Sequence, residues 1–435
     1  MGRILIWRKV TPGNELDIFH KTDYQKFYDQ VQDMFDGNCP NWGNKLWFQG
    51  LYSEIDTEEN QISFRQDETV DEINDNYDLI IYPMANFFAP GYVHAMQELS
   101  QVFKKVKIPV YIIACGAQAD SYEKLDELVE QIGEPAKQFI SSIYSTGGEF
   151  ALRGNFTKEF FNQLGFPTAV VTGCPSLYQM GANFQVIHHE QESNLRKIVV
   201  NGKINYFEDI LKRFPESVYI DQDLYFKPLF QPNYIKRHTS RTFLHQAAVF
   251  EHLYGRSAAQ LLAEDRIKMI PDMDRWYAFL KYHSFQYSIG TRIHGNIMSI
   301  LCGIPSTVIA IDTRTKEMAE FFDIPYYDLT TQKRKRAFRA EELFEFYRQA
   351  DYGSFNRSFP KKFKRYEAFL QEKGIVTHVN CKNDFFHHAC YENVQEPGIN
   401  KQDFGEYACR LKKSSVLISV LAEAVQLKNK LFSQR

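Results

Sequence analysis

Two near-continuous apolar runs, Asp78-Leu79-Ile80-Ile81-Tyr82-Pro83 and Ile108-Pro109-Val110-Tyr111-Ile112-Ile113-Ala114, constrain the fold more than anything else in the chain. A strand with one wet face alternates apolar and polar residues. A run without alternation needs cover on both faces, which is the condition of a parallel sheet lying between helices. The stretch between the two runs, 92–105, has helical periodicity, as does 122–140. Phe150-Ala151-Leu152-Arg153, a helix near 157–164 stopped by Gly165, and Ala169-Val170-Val171-Thr172 add a further step. Strands and helices in alternation predict βαβ units.

A chain of 435 residues exceeds what one hydrophobic core usually organises. The polar stretch 186–196, with His188-His189-Glu190-Gln191-Glu192-Ser193-Asn194 at its centre, is the best linker, because the strand pattern restarts after it. Lys197-Ile198-Val199-Val200-Asn201 reads as a strand, 205–214 as a helix, Ser217-Val218-Tyr219-Ile220-Asp221 as a strand, and the pattern continues through Ser306-Thr307-Val308-Ile309-Ala310-Ile311. The expected units are 1–190, 191–330 and a basic, then helical, extension 331–435. That extension ends in 415–432, where Leu417, Leu421, Ala424, Leu427 and Leu431 share one helix face.

Apolar residues at 44%, charged residues at 24% and a mean hydropathy of -0.41 describe a globular chain. A net charge of -3 gives no electrostatic footprint for nucleic acid, so any anion has to be held by a local cluster. No run of about 18 apolar residues occurs, and the apolar start Ile4-Leu5-Ile6-Trp7 ends too early for a secretory segment. Seven cysteines at irregular spacing do not make a disulfide framework. The expected compartment is the cytoplasm.

The strongest local signal lies between Tyr287 and Asp312. Gly290 and Gly295 bracket Thr291-Arg292-Ile293-His294, an apolar helix follows from Ile297, Gly303 stops it, and Pro305 leads into the next strand. A loop feeding a helix start aims free backbone N–H groups and the positive end of the helix dipole at one point. Arg292 adds a planar fork for phosphate or carboxylate, and His294, held protonated beside a bound anion, suits a general acid. Further on, Asp312 ends a strand and Glu317 falls in what reads as the first helical turn, as a ligand contact or as a carboxylate complementing the helix dipole. Near the start, Asn41 and Gly43 permit a tight turn before a helix beginning near Leu46, with Asn44 as N-cap or ligand-facing amide. Arg153, before Gly154, sits at a strand end and points into the cleft or to the surface.

Other constellations are weaker. Asp221-x-Asp223 and Asp272-x-Asp274 have the spacing of a metal-binding pair but read as solvated loops, and Cys381, His387, His388 and Cys390 match no zinc-site spacing. No metal site is expected. The run Lys333-Arg334-Lys335-Arg336 reads as a solvated surface; functionally it offers attraction to anionic lipid or a diphosphate-linked acceptor at the inner membrane face.

Gly290-x-Arg292-x-His294-Gly295, Gly303-x-Pro305, Asp312-x-Arg314-x-x-Glu317-Met318 and Ile324-Pro325 resemble the signature block of the polysaccharide pyruvyltransferase family. Asn41-x-Gly43-Asn44 is similar to its Asn-x-Gly-Asp element, with Asn44 in place of Asp, and Leu152-Arg153 with Thr172-Gly173-Cys174-Pro175-Ser176 is similar to its mid-chain strand and turn. Tyr82-Pro83-Met84-Ala85-Asn86 stands where many members carry a glycine-rich loop, which makes Asn86 a cleft candidate. The resemblance spans roughly 35–330. It implies an α/β fold of two Rossmann-like domains facing a central cleft, like the GT-B glycosyltransferases, with acceptor on the first domain and phosphoenolpyruvate on the second. It implies transfer of pyruvate onto sugar hydroxyls of a surface polysaccharide or its precursor, as a ketal, with no cofactor. Arg153 and Arg292 would clamp the donor with Ile293, His294 and Gly295; His294 and Arg292 would be catalytic; Asn41, Gly43, Asn44, Asn86 and Glu317 would line the acceptor side or cleft.

Two alternatives stay open at this stage. A GT-B-type glycosyltransferase with a nucleotide-sugar donor also places a basic loop and a Glu near a helix start. A non-enzymatic carbohydrate-binding or scaffolding protein would not need Arg292 and His294.

Overall fold

The computed structural model describes residues 2–7, 41, 43–56, 58–65, 67–188, 195–222, 261, 264, 266–268, 270, 273–332 and 337–377. A first sheet is made by β1 (Gly2–Ile6), β2 (Asn60–Phe64), β3 (Leu79–Pro83), β4 (Asn86–Phe88), β5 (Val110–Ala117), β6 (Glu149–Leu152) and β7 (Val170–Val171). Its helices are α1 (Gly43–Glu54), α2 (Val70–Asn76), α3 (Val93–Phe103), α4 (Leu125–Tyr144) and α5 (Asn155–Gln163). The strands lie in the order β2-β1-β3-β5-β6-β7, with β4 beside β5, and every pair is parallel.

The apolar runs explain this arrangement. Ile4, Ile6, Leu79 and Ile81 enter one core while Leu5 and Ile80, between them in sequence, enter another on the opposite face. Successive strand residues point to opposite faces, so a run that is apolar throughout fills two cores at once.

A second sheet contains β8 (Ile198–Asn201), β9 (Val218–Ile220), β10 (Ile267–Lys268), β11 (Tyr287–Gly290), β12 (Ser306–Ala310) and β13 (Tyr326–Asp328), with helices α6 (Glu208–Arg213), α7 (Met273–His283), α8 (Ile293–Leu301) and α9 (Thr313–Phe322). Its order is β10-β9-β8-β11-β12-β13, again all parallel. Counted along the chain this is the 3-2-1-4-5-6 order of a Rossmann sheet, whose order reverses between β8 and β11. The expected α/β class with two Rossmann-like units is therefore what the chain adopts.

Helices α10 (Ala340–Gln349) and α11 (Gly353–Glu372) follow. The end of α11 returns to the first sheet: Lys373 pairs with Glu149 at 2.8 Å, the Asn60 amide donates to the Val376 carbonyl at 2.9 Å, and Thr377 bridges Ile55.

Several local expectations are corrected. The helix read over 205–214 is a 3-10 turn at Ile204–Tyr206 followed by the shorter α6. The helix placed near Leu46 begins at Gly43. Asp221, read as part of a solvated loop, is 1% exposed and follows β9, its amide donating to the Lys268 carbonyl at 2.8 Å. The Lys333–Arg336 run, the Cys381 to Cys390 group and the helix read over 415–432 lie outside the described residues. Among the described residues no helix is long and apolar enough to cross a membrane, and no three His, Cys, Asp or Glu side chains form a metal-binding group.

Candidate active site

Open α/β sheets bind ligands outside the carboxyl ends of their strands, where the strand order reverses. In the second sheet that point lies between Asn201, the last residue of β8, and Gly290, the last of β11, which are paired in register. The loop entering α8 is fixed there by two asparagines. The Asn201 side-chain oxygen accepts from the Arg292 amide at 3.0 Å and its carbonyl from the Thr291 amide at 3.2 Å, while its Nδ2 donates to Asn296 Oδ1 at 3.1 Å. Asn296 Nδ2 in turn donates to the carbonyls of Gly290 and Arg292 at 3.0 and 3.1 Å.

The amides of Thr291 and Arg292 are thus satisfied by Asn201. Arg292 is the N-cap residue, and its side chain makes no capping bond. The amides of Ile293, His294 and Gly295, in the first helical turn, have no acceptor within their own helix.

His294 is 7% exposed and stands where the two units meet. A Cβ built on Gly43, the first residue of α1, would lie 2.8 Å from His294 Cβ and 2.7 Å from Gln222 Oε1. On the other side, a Cβ on Gly295 would lie 2.8 Å from Gln222 Nε2. Glycine at both positions lets two helix starts close on the Gln222 amide. Gln222 is 1% exposed, and neither of its amide atoms has a hydrogen-bond partner. From the loop after β7, Cys174 Sγ approaches His294 Nε2 at 3.7 Å.

Burial pushes the His294 imidazole well below its ordinary 6.5, and the guanidiniums of Arg153 and Arg314 push it in the same direction. Without a ligand the site therefore favours the neutral imidazole; the protonated state expected of His294 is one beside a bound anion. The sequence reading paired His294 with Arg292; its charged neighbours in the structure are Arg153 and Arg314.

Arg153 follows β6, its amide bonded to the Cys115 carbonyl at 2.9 Å. The side chain is 2% exposed, and its Nε and Nη2 have no partner. Arg314 lies in the first turn of α9, with Nη2 donating to Asp312 Oδ2 at 2.6 Å and Nε at 3.2 Å. Burial works against the charge on Asp312, yet Arg314 and the hydrogen bonds from Arg314 and Thr315 hold its carboxyl below the ordinary range.

Glu317 is a further correction. It lies past the first turn of α9, is 1% exposed, and crosses to the other unit. Its oxygens accept from the amide and hydroxyl of Thr157, in the first turn of α5, at 2.9 and 2.8 Å. Burial raises its pKa to about 7, against the Thr157 bonds and Arg153, which lower it. Nearby, the Thr313 amide donates to the Ala119 carbonyl at 3.1 Å, so α9 is docked onto the end of β5. Glu317 serves the junction between the units rather than an open surface.

Of the remaining candidates, Asn41 Oδ1 accepts from the Gly43 amide at 2.8 Å and so caps α1, the role read for Asn44. Asn44 lies within the helix, and its Oδ1 accepts from the Trp47 indole at 3.4 Å. Asn86, on β4, donates to Gln118 Oε1 at 3.0 Å beside the end of β5. Sequence reasoning missed Asn201, Asn296, Gln222, Thr157 and the contact of Cys174 with His294. An Asn-Gly pair closing the first strand after the linker was the available signal for Asn201.

Among curated proteins none matches the chain in sequence. Solved structures that it resembles include a putative UDP-N-acetylglucosamine 2-epimerase from Listeria monocytogenes, at 11% identity and TM-score 0.37, covering 86% of this chain and 96% of that one. The S. aureus MnaA–UDP structure gives 12% identity and TM-score 0.38 over 86% and 98%. The glycosyltransferase SnogD from Streptomyces nogalater gives 12% and 0.27 over 84% and 86%. The polysaccharide pyruvyl transferase family model matches residues 11–313, which hold the reversal point of the second sheet, Arg153, Cys174, Gln222 and His294. The chain belongs to the polysaccharide pyruvyl transferase family.

Proposed function

We propose that this transferase moves pyruvate from phosphoenolpyruvate onto two hydroxyls of one sugar in a polysaccharide precursor, closing a ketal. The observation that carries the reading is the buried Arg153 guanidinium with Nε and Nη2 unpartnered, facing His294 together with Arg314. Burying a guanidinium with two nitrogens left without hydrogen bonds is costly, and a ligand bearing a phosphate and a carboxylate would offset that cost. The first-turn amides of Ile293, His294 and Gly295 add neutral donors for the same anion, and Arg292 stands at the mouth of that turn.

In this reading the donor's negative charge draws a proton onto His294, which the free site disfavours. The imidazolium gives that proton to C3 of the enol, leaving C2 electrophilic. One sugar hydroxyl adds to C2 and loses its proton; the C2–O bond to phosphate breaks; the second hydroxyl adds to C2 and loses its proton. The products are a ketal carrying methyl and carboxylate groups, and inorganic phosphate. Gln222, offering one acceptor and two donors, is placed to orient an acceptor hydroxyl pair. The acceptor is a glycan, lipid-linked or free, and peripheral attachment at the inner face of the membrane fits the basic run at 333–336.

Thermal shift with phosphoenolpyruvate beside a panel of nucleotide sugars tests the donor: stabilisation is expected with phosphoenolpyruvate, and stabilisation by nucleotide sugars alone would sink the proposal. Mass analysis of a glycan precursor incubated with enzyme and donor should then show one pyruvate gained with loss of water.

A further inference from the structure

We propose that Cys174 is the positioning residue for His294, fixing the neutral imidazole as the Nδ1–H tautomer and reserving Nδ1 for the reacting centre. The proposal rests on the acid role given to His294 above. Its structural half, the tautomer, is measurable without turnover.

The loop carrying Cys174 is tied down at several points. The Tyr178 hydroxyl donates to the Thr172 carbonyl at 2.6 Å, the Leu177 amide donates to the Cys174 carbonyl at 3.4 Å, and the Pro175 carbonyl lies against Gly50 so closely that a Cβ there would be 2.4 Å away. Within this frame Cys174 and Ser176 are both fully buried. The Ser176 hydroxyl donates to Cys174 Sγ at 3.1 Å, and Sγ stands 3.7 Å from His294 Nε2.

A thiol has one proton to donate, and its sulfur accepts weakly. With the sulfur already receiving the Ser176 hydroxyl, the thiol proton is directed to Nε2. A neutral imidazole accepting at Nε2 carries its own proton on Nδ1. Cys174 is the one hydrogen-bonding contact of His294 among the described residues, so no other group there competes to set the tautomer. The partner is also suited to a residue that must change charge. A carboxylate in this place would favour the imidazolium at all times, as a fixed negative charge does for histidine. A thiol does not: when His294 is protonated the S–H turns away and the sulfur accepts from Nε2–H. The orientation of the ring is kept in both states.

The test uses the full chain labelled with 15N-histidine, with His294→Gln assigning the resonance. Above pH 7 the wild-type protein should show His294 with a protonated Nδ1 and an unprotonated Nε2. Cys174→Ala should shift it toward the Nε2–H form, and Cys174→Ser, which keeps a donor, should retain Nδ1–H. In turnover, Cys174→Ala should lose about tenfold to a hundredfold, part of what a placed acid contributes, with donor affinity unchanged and with recovery in Cys174→Ser. An Nε2–H tautomer in the wild type, or an unchanged tautomer in Cys174→Ala, overturns the proposal. A confirmed tautomer without pyruvyl transfer would overturn the reaction and leave the positioning standing.

Discussion

Arg153 carries a buried charge, and His294 is a buried imidazole whose charged form its surroundings disfavour, where a fold by itself has little use for either. Replacing Arg153 by Gln removes a buried guanidinium with two unpartnered nitrogens, so stability should be unchanged or higher while donor affinity falls by about tenfold to a thousandfold, the effect of losing a charge-assisted hydrogen-bonded contact. Thermal shift with and without phosphoenolpyruvate separates the two effects. For His294 the sign follows from a pKa held well below 6.5 in the folded state. The unfolded chain then binds the proton more readily, so the contribution of His294 to stability is present above pH 6.5 and is lost as pH falls below it. Donor binding reverses this. Calorimetry at pH 8 in buffers of different ionisation enthalpy should show proton uptake with the donor, and His294→Gln should abolish it; equal uptake in the variant would remove His294 as the proton carrier.

Helices α1 and α9 set the geometry of the site from opposite sides. Gly43→Ala puts a methyl group where His294 Cβ and Gln222 Oε1 already are, so α1 must back away from α8. A stability loss of about 1–3 kcal/mol in urea unfolding is expected, with a larger loss of turnover. On α9, Glu317 has its folded pKa raised from an ordinary 4.5 to about 7. The folded state therefore binds that proton more tightly, and the contribution of Glu317 is full below pH 4.5 and is lost as pH rises through about 7. The gap corresponds to about 3 kcal/mol. Glu317→Gln keeps an acceptor for the Thr157 amide without the charge, so it should flatten the stability profile between pH 5 and 8 and match or exceed the wild type at pH 8. A steeper profile in the variant would show that Glu317 is ionised in the fold.

At the scale of the whole molecule, the core that contains Ile4 and Leu46 also contains Ile198 and Phe359, so it runs from the first sheet through the second to α11. Tyr366 stacks on Tyr178 with ring centroids 4.9 Å apart. Tyr366→Ala should cost about 3–5 kcal/mol and lower the melting of both sheets together. Separate melting, with the second sheet unaffected, would show that α11 does not link them.

The strands, the restart of the pattern near 197 and the loop at 290–295 were legible in sequence because they rest on local rules: apolar runs that fill two cores, glycine at a helix end, a turn before a helix. Tertiary structure alone decided what faces His294. Arg153 and His294 are 141 positions apart, Glu317 and Thr157 160 apart, and Cys174 and His294 120 apart. No periodicity connects such pairs; packing two sheets end to end does, and burial then sets their charges. The sequence determined that a turn feeding a helix start would form there. Its electrostatics depend on the opposite unit, because charge interactions follow distance in space and exposure to water, neither of which is written in spacing along the chain.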